Sequence, residues 1–216
     1  TLSSKALAYA MDGRTDEAIV ELERALIIDD QDARIWTRLL EILFQAQRHD
    51  QVVVQAKRAE SVMPGIPSVT SYHGAALLAL GRSEEARPML HASLAGGYNP
   101  PWANFGLGVL ADEEGDAEAS LGYFLAEYGE HPEHRVALYS VVLQLEKLGR
   151  SDQVLRYAQQ AMAANSAHTG MQRAYAQALF NLERYDEAEA SVRTCRELAP
   201  EYPACAMLEA NVLKKL

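Results

Sequence analysis

The sequence predicts an all-α fold, a right-handed superhelix of about six helix pairs that ends in one capping helix. The first observation behind this prediction is a 34-residue period that runs through the chain without insertion or deletion, which is typical of a repeat array. The second is that proline and glycine recur at fixed positions of this period. The composition, with 49% hydrophobic and 23% charged residues, is ordinary for a soluble protein.

Columns of equivalent residues support this period. One column contains small side chains, as expected where two helices approach closely: Ala18, Val52, Ala86, Ser120, Val154 and Ala188. A turn column is mostly glycine, which suits the left-handed residue after a helix C-terminus; its members are Gly13, Gln47, Gly81, Gly115, Gly149 and Glu183. Prolines mark the repeat boundaries in two further columns, Pro64/Pro132/Pro200 and Pro67/Pro101/Pro203. In the second of these columns we expect proline at the first helical position.

The columns predict a single solenoid domain over 1–216. Its repeats are expected at 1–32, 33–66, 67–100, 101–134, 135–168 and 169–202, with a capping helix at 203–216. Repeat one should contain helices over 1–12 and 16–29, with Thr15 as the N-cap of the second. Repeat two should contain helices near 33–46 and 50–62.

Two places in this array are expected to be irregular. Pro88 lies about one turn inside the second helix of repeat three, where it removes a backbone hydrogen bond. The joint at 95–101 contains two glycines, Asn-Pro and a double proline, so we expect the preceding helix to end early and the chain to turn sharply. The last helix is expected to bury Ala206, Ala210 and Leu213 against the preceding pair.

These residues carry a resemblance to the tetratricopeptide repeat (TPR) superfamily, whose units are 34-residue helix–turn–helix pairs. The matching residues in three of the units are Trp36, Leu39, Leu43, Ala59 and Pro64; Leu107, Gly108, Gly115, Phe124 and Pro132; and Ala176, Tyr185, Ala188 and Pro200. The resemblance covers essentially the whole chain. It implies a non-enzymatic scaffold for protein–protein interaction, in which the first helices of the repeats line a concave groove that binds a peptide or a helix.

The sequence also argues against several other classes of protein. A net charge of −10 disfavours nucleic acid, because phosphate binding needs clustered Lys and Arg. No apolar run is long enough to span a membrane. We find no catalytic residues, no cofactor-binding residues and no metal ligands. Gly106-Leu-Gly lacks the preceding strand of a dinucleotide motif. His131 and His134 are interpreted as a solvated loop pair, and His73 as a core histidine with its hydrogen bonds satisfied.

Cys195 and Cys205 are the only cysteines and form a candidate disulfide. They lie nearly symmetrically about the turn at Pro200–Tyr202, so antiparallel helices would bring them near bonding distance. A disulfide would favour an oxidising compartment such as a periplasm. A bacterial cytoplasm or periplasm is therefore left open. The choice between these two compartments also depends on what precedes Thr1, because the chain is expected to continue upstream.

The predicted partner-binding groove consists of two apolar stripes in repeats four and five. Trp102, Phe105 and Val109 are spaced i, i+3, i+7, and the same spacing recurs 34 residues later in Val136, Tyr139 and Leu143. The equivalent positions of repeat two hold Arg34, Thr37 and Glu41, and those of repeat three hold Ser68, Ser71 and Ala75. The alternative is that the apolar side chains pack on each other or on the joint at 96–101.

The expected occupant of this groove is a peptide or helix of a partner protein, or a second copy of this chain. A regulatory or substrate-docking segment of a larger enzyme, or of a secretion or assembly machine, is the alternative function. An RNA-binding array is disfavoured by the strict period and the acidic charge. Some relatives of this kind bind acidic chaperone tails; Arg34 and Arg38 suit such a clamp, but its other members are missing, so we predict none.

Overall fold

The computed structural model describes residues 2–164 and 168–216, and these form α-helices and no strand. The helices within the described residues are α1 (Leu2–Met11), α2 (Thr15–Ile28), α3 (Ala33–Gln45), α4 (His49–Val62), α5 (Pro67–Ala79), α6 (Ser83–Leu94), α7 (Ala103–Glu113), α8 (Ala117–Glu130), α9 (Arg135–Lys147), α10 (Ser151–Ala164), α11 (Thr169–Asn181), α12 (Tyr185–Leu198) and α13 (Pro203–Leu213). The predicted all-α class, with six helix pairs and a terminal helix, is confirmed.

The chain forms two compact units, Thr1–Leu110 and Ala111–Leu216. In each unit, consecutive helices pack against one another, and the first helices of successive pairs also touch: α3 contacts α5, α9 contacts α11, and α11 contacts α13. In the second unit the first helices α9, α11 and α13 therefore form a continuous layer, and in the first unit α3 lies against α5. The prediction of one solenoid domain stays a prediction.

The core of each unit follows the predicted columns. Trp36 is fully buried and is the largest such side chain, and Ala18, Val52 and Ala86 of the small-residue column have no exposed surface. In the second unit, Ala188 of the same column lies in a cluster with Leu179 and Val192. Small residues at this position let the two helices of a pair come close, as expected.

The joint before repeat four differs from the other joints, and the prediction for it is partly wrong. Helix α6 ends at Leu94, early as expected, and contains Pro88 in its interior. Pro67 and Pro203 are the first residues of α5 and α13. Pro101, however, lies outside a helix, because α7 begins only at Ala103. The glycines and prolines of the joint thus displace the start of the helix by two residues.

The expected N-cap at Thr15 is also wrong. Thr15 is the first residue of α2 itself, and the N-cap residue is Arg14, whose side chain makes no capping hydrogen bond. The first turn carries Asp16 and Glu17, which suit the positive end of the helix dipole.

The predicted buried face of the last helix is wrong as well. Helix α13 buries Cys205, Leu208 and Val212, whereas Leu213 is 55% exposed and Ala210 is exposed. Helix α13 packs against α11 and α12, and its buried residues lie on the face toward these two helices.

Candidate partner-binding surfaces

The six residues predicted to bind a partner lie in the two units, three in each. Trp102, Phe105 and Val109 belong to the first unit, and their side chains are half-buried. The second unit holds Val136, Tyr139 and Leu143. Each set is described within its own unit.

Trp102 does not extend the helical stripe of Phe105 and Val109, because it precedes the first residue of α7. Its backbone is left-handed, with φ 72°. That conformation costs a large side chain about 1–3 kcal/mol and persists only where neighbouring contacts enforce it. One such contact is a hydrogen bond from Ser71 Oγ to the carbonyl oxygen of Pro101, at 2.6 Å. The spacing i, i+3, i+7 therefore predicted that Trp102 lies in the helix, whereas α7 begins one residue after it.

Trp102 instead joins an aromatic cluster that the sequence did not reveal. Its ring lies 5.5 Å from the ring of Phe105 and 4.9 Å from that of Phe44, a residue of α3. The ring of Phe44 also contacts Tyr72 of α5, at 5.8 Å. Phe44 lies one turn beyond Glu41 on the same face of α3, so extending the stripe by one turn would have found it.

Small residues occupy the groove positions of α5, which belongs to the repeat between those of Phe44 and Trp102. Ser71 and Ala75 occupy the groove column in α5 and are 0% and 6% exposed. The equivalent positions of α3, Thr37 and Glu41, are half-buried. Thr37 and Ser68 are joined by a hydrogen bond between their hydroxyl groups at 2.8 Å, which ties α3 to α5 on this face.

The second unit places its three predicted residues on α9. Leu143 is 45% exposed, and Val136 is half-buried. The ring of Tyr139 packs against the ring of His168, with their centroids 4.2 Å apart. For Tyr139, part of the side chain therefore packs within the protein, as the alternative interpretation expects, whereas Leu143 remains largely open to solvent.

Arg34 and Arg38 lie where two shallow grooves meet, one between α1 and α3 and one between α3 and α5. Both arginines are already paired with carboxylates. Arg34 donates to Asp32 at 2.7 Å and Arg38 donates to Glu41 at 2.6 Å. Hydrogen bonds from Arg34 hold the pKa of the Asp32 carboxyl below its usual range. The absence of a chaperone-tail clamp stays a prediction, which a Glu-Glu-Val-Asp peptide would test.

Cys195 and Cys205 are both fully buried and face each other across the turn between α12 and α13. Their Cα atoms are 6.1 Å apart and their sulfur atoms are at bonding distance. This Cα separation falls in the range of about 4.4–6.8 Å in which disulfides form. The disulfide stays a prediction, and thiol titration tests it.

The histidines differ from their interpretation as solvated or fully satisfied groups. His134 is 16% exposed at its side chain, and its Nδ1 lies 2.8 Å from the buried carboxylate of Glu127. His73 is buried, with Nδ1 3.0 Å from Glu60, but its Nε2 has no hydrogen-bond partner. Among the described residues, no three His, Cys, Asp or Glu side chains are arranged to hold a metal ion.

The sequence matches the family model of the tetratricopeptide repeat over residues 73–134 and 143–203, which is more than half of the chain. The chain therefore belongs to the tetratricopeptide repeat family. No curated protein sequence matches it. The predicted resemblance and the solenoid fold class are confirmed. No helix in the described parts of the chain is long and apolar enough to cross a membrane.

Solved structures show the same fold. A chain of the APC/C hetero-tetramer Cut9–Hcn1 superposes with a TM-score of 0.77 and 16% identity, over 98% of this chain and 42% of that one. PilF of Pseudomonas aeruginosa gives 0.79 and 18%, over 97% and 96%. YrrB, described as a TPR protein with an unusual peptide-binding site, gives 0.67 and 14%, over 90% and 98%. This chain spans less than half of the first of these relatives.

TPR proteins are generally scaffolds for protein–protein interaction rather than catalysts. A role as an interaction scaffold is consistent with this fold. The first helices that contact one another, α3 with α5 and α9 with α11 and α13, carry partly exposed apolar side chains such as Leu143.

Proposed function

We propose that this chain is a non-enzymatic scaffold that binds an extended segment or an amphipathic helix of a partner protein. The contacts would be made by Trp102, Phe105 and Val109 in the first unit and by Val136, Tyr139 and Leu143 in the second. The observation that carries the proposal is the partial exposure of apolar side chains on the first helices of the pairs, most of all Leu143 at 45%.

The chemistry of these side chains supports a protein ligand. Aromatic residues contribute large contact areas and are enriched among the residues that dominate binding energy. A helix or a strand-like segment presents apolar side chains at regular intervals, which match a row of apolar contacts on a helix layer. The peptide-binding site of YrrB is consistent with this proposal at the level of the fold.

The experiment is selection of binders from a phage-displayed library of random peptides, followed by affinity measurement with synthetic copies. The test variant combines Phe105→Ala and Tyr139→Ala. We expect at least a tenfold loss of affinity, because each substitution removes a ring from the contact surface and 1.4 kcal/mol corresponds to a factor of ten. Helicity and the melting temperature should change little, since both rings are half-buried.

The matched controls are exposed apolar residues on the second helices of the pairs. Val54 is 64% exposed on α4, and Leu198 is 39% exposed on α12. Val54→Ala with Leu198→Ala should leave peptide affinity unchanged. If the Phe105/Tyr139 variant binds as tightly as the parent, these residues are not the site. If it unfolds, they belong to the core.

A second copy of this chain is the competing occupant of the same residues. Sedimentation equilibrium distinguishes the two cases, because self-association through these side chains would be concentration-dependent and would disappear in the Phe105/Tyr139 variant. A protein that is monomeric at all concentrations, yet binds selected peptides, supports a separate partner.

A further inference from the structure

Phe44 has an equivalent in a later repeat, and the two rings share one kind of contact. Phe180 of α11 occupies the same column four repeats on, and each of the two rings packs against the ring five residues later. Phe44 lies 5.0 Å from His49, and Phe180 lies 5.6 Å from Tyr185. This shared contact packs the turn between the two helices of a pair. The contact of Phe44 with Trp102, at 4.9 Å, is additional to this turn packing.

That contact joins side chains of repeats two and four, with all of repeat three between them. The joint at 96–101 makes it possible by delaying the start of α7 and leaving Trp102 in a left-handed conformation. The hydrogen bond from Ser71 to the Pro101 carbonyl anchors the peptide just before Trp102 to α5. The indole is thereby held toward α3.

The groove positions of α5 are covered in this arrangement. Ser71 and Ala75 are buried although they belong to the column that is half-buried in α3 and α7. The Ser71 hydroxyl donates to the Pro101 carbonyl, and the next residue, Trp102, meets the ring of Phe44. In the first unit, the inner surface over α5 is thus occupied by the protein's own side chains.

We propose that the Phe44–Trp102 contact is an autoinhibitory gate over the inner surface of the first unit. A partner segment reaches Phe105 and the small residues of α5 after the two rings separate. Trp102 then turns from Phe44 to the bound segment. This inference rests on the proposed peptide-binding function and adds to it a closed state of the free protein.

The gate predicts that weakening it strengthens binding, because the partner no longer spends interaction energy on opening it. Phe44→Ala removes the contact and leaves all six proposed partner-binding residues in place. Its affinity for a library-selected peptide should be at least threefold tighter than that of the parent. Phe180→Ala removes the same turn packing in repeat six without touching a gate, so its affinity should equal the parent's.

A second variant opens the gate without removing a ring. Ser71→Ala deletes the hydroxyl that holds the Pro101 carbonyl and should also tighten peptide binding, by twofold or more. Unchanged or weaker binding in both Phe44→Ala and Ser71→Ala, with melting temperatures near that of Phe180→Ala, would overturn the gate.

The gate can be tested even if no peptide is selected, an outcome that contradicts the proposed function alone. Anilinonaphthalene sulfonate is the probe in that case, since it fluoresces on exposed apolar surface. Phe44→Ala and Ser71→Ala should each bind more dye than the folded parent and Phe180→Ala, with saturation at about one dye per chain. Equal dye binding in all four proteins refutes a closed surface.

Discussion

Two residues of the turn column adopt a conformation that favours glycine. Gln47 and Glu183 have φ of 58° and 60°, close to the φ of 74° at Gly81 in the same column. Each follows the C-terminus of a helix, where backbone N–H groups of the turn donate hydrogen bonds to the last carbonyl oxygens of the helix. One such bond runs from Arg48 N to Leu43 O, at 2.9 Å. A side chain at such a position is strained by the contact between its Cβ and the backbone.

Gln47→Gly and Glu183→Gly should therefore each stabilise the protein, by about 0.5–1 kcal/mol after the greater freedom of glycine in the unfolded chain is subtracted. Urea denaturation followed by circular dichroism measures the change. Gly81→Ala is the reverse control and should destabilise. A loss of stability in both glycine variants would show that the side chains of Gln47 and Glu183 contribute more than the strain costs.

Gly74 of α5 and Gly106 of α7 have no side chains, and this leaves room for Leu90 of α6 to pack against both helices. A Cβ at Gly106 would lie 2.7 Å from Leu90 Cδ1, and a Cβ at Gly74 would lie 2.8 Å from Leu90 Cγ. The absence of a side chain at Gly106 thus leaves room for Leu90, which would have to shift if a Cβ were present. This explains why part of a dinucleotide pattern occurs inside a helix.

Gly106→Ala should destabilise the protein by about 1–3 kcal/mol, the usual cost of overpacking a core. Gly122→Ala is its control, because a Cβ there meets nothing within 4 Å; that variant should be more stable, by about 0.5–1 kcal/mol, since alanine favours a helix interior. Differential scanning calorimetry compares the two. Equal stability of Gly106→Ala and the parent would mean that Leu90 moves aside freely.

At the scale of the helix, arginines at the start of the second helices follow a local rule. Where a glutamate lies three residues on, the arginine bonds to it; these pairs are Arg14–Glu17, Arg82–Glu85 and Arg184–Glu187. Where glutamine stands there, as at Gln51 and Gln153, the arginine bonds to an acid of the preceding repeat; these pairs are Arg48–Asp16 and Arg150–Glu118. Exposed pairs of this kind contribute at most about 1 kcal/mol each.

A further link between repeats four and five predicts a dependence on pH. The Asp112 carboxylate accepts a hydrogen bond from Lys147, and this bond holds the pKa of Asp112 below its ordinary value of 3.8. A carboxyl group whose pKa is lower in the folded state stabilises the fold above its unfolded pKa. This stabilisation is lost as the pH falls from about 4 through the folded pKa.

Lys147→Met should therefore be less stable than the parent at pH 6 but approach it below pH 4. Asp112→Asn should lose the same pH dependence, because no carboxyl remains to be protonated at that position. Urea denaturation at pH 6, 5, 4 and 3 measures both. If the difference between Lys147→Met and the parent stays constant from pH 6 to pH 3, the hydrogen bond does not lower the pKa.

The cysteine pair would join α12 to α13. Two free thiols on titration of the denatured protein without reductant would refute the disulfide, and none would support it. If it forms, cross-linking a loop of this length should stabilise the protein by about 2–3 kcal/mol on the chain-entropy model. Cys195→Ala with Cys205→Ala is the matched control, because its stability should not respond to reductant.

At the scale of the whole chain, α13 covers the end of the second core. Leu208 and Val212 pack into a cluster with Leu179 and Val192. Leu208→Ala should cost about 2–5 kcal/mol, as buried leucine truncations do. Leu213→Ala on the exposed face should change stability by less than about 0.5 kcal/mol. Thermal melts of the two variants reveal which face of α13 is packed.

Removal of residues 203–216 should cost several kcal/mol, at about 25 cal/mol per Å² of apolar surface exposed, and should promote aggregation. Melting temperature and light scattering measure these effects. A monomeric truncation with an unchanged melting temperature would show that α13 is not a cap.

The sequence by itself determined the helices and their pairing. Hydrophobic side chains recurring at a fixed period leave few other ways to bury them, and glycine and proline place the turns because their backbone preferences are local. The bounds of α3 and α4 accordingly fall within one residue of their predicted positions. The small-residue column also follows from the period, since each repeat packs in the same way.

Which aromatic side chains contact one another was decided only by the tertiary structure. Phe44 and Trp102 are 58 positions apart in the numbering, so no local pattern joins them, and their contact depends on the late start of α7 at Ala103. The buried face of α13 was likewise decided by its contacts with α11 and α12, which bury Cys205, Leu208 and Val212 and leave Leu213 exposed. A periodic sequence defines each repeat, whereas contacts between distant repeats depend on the assembled helices.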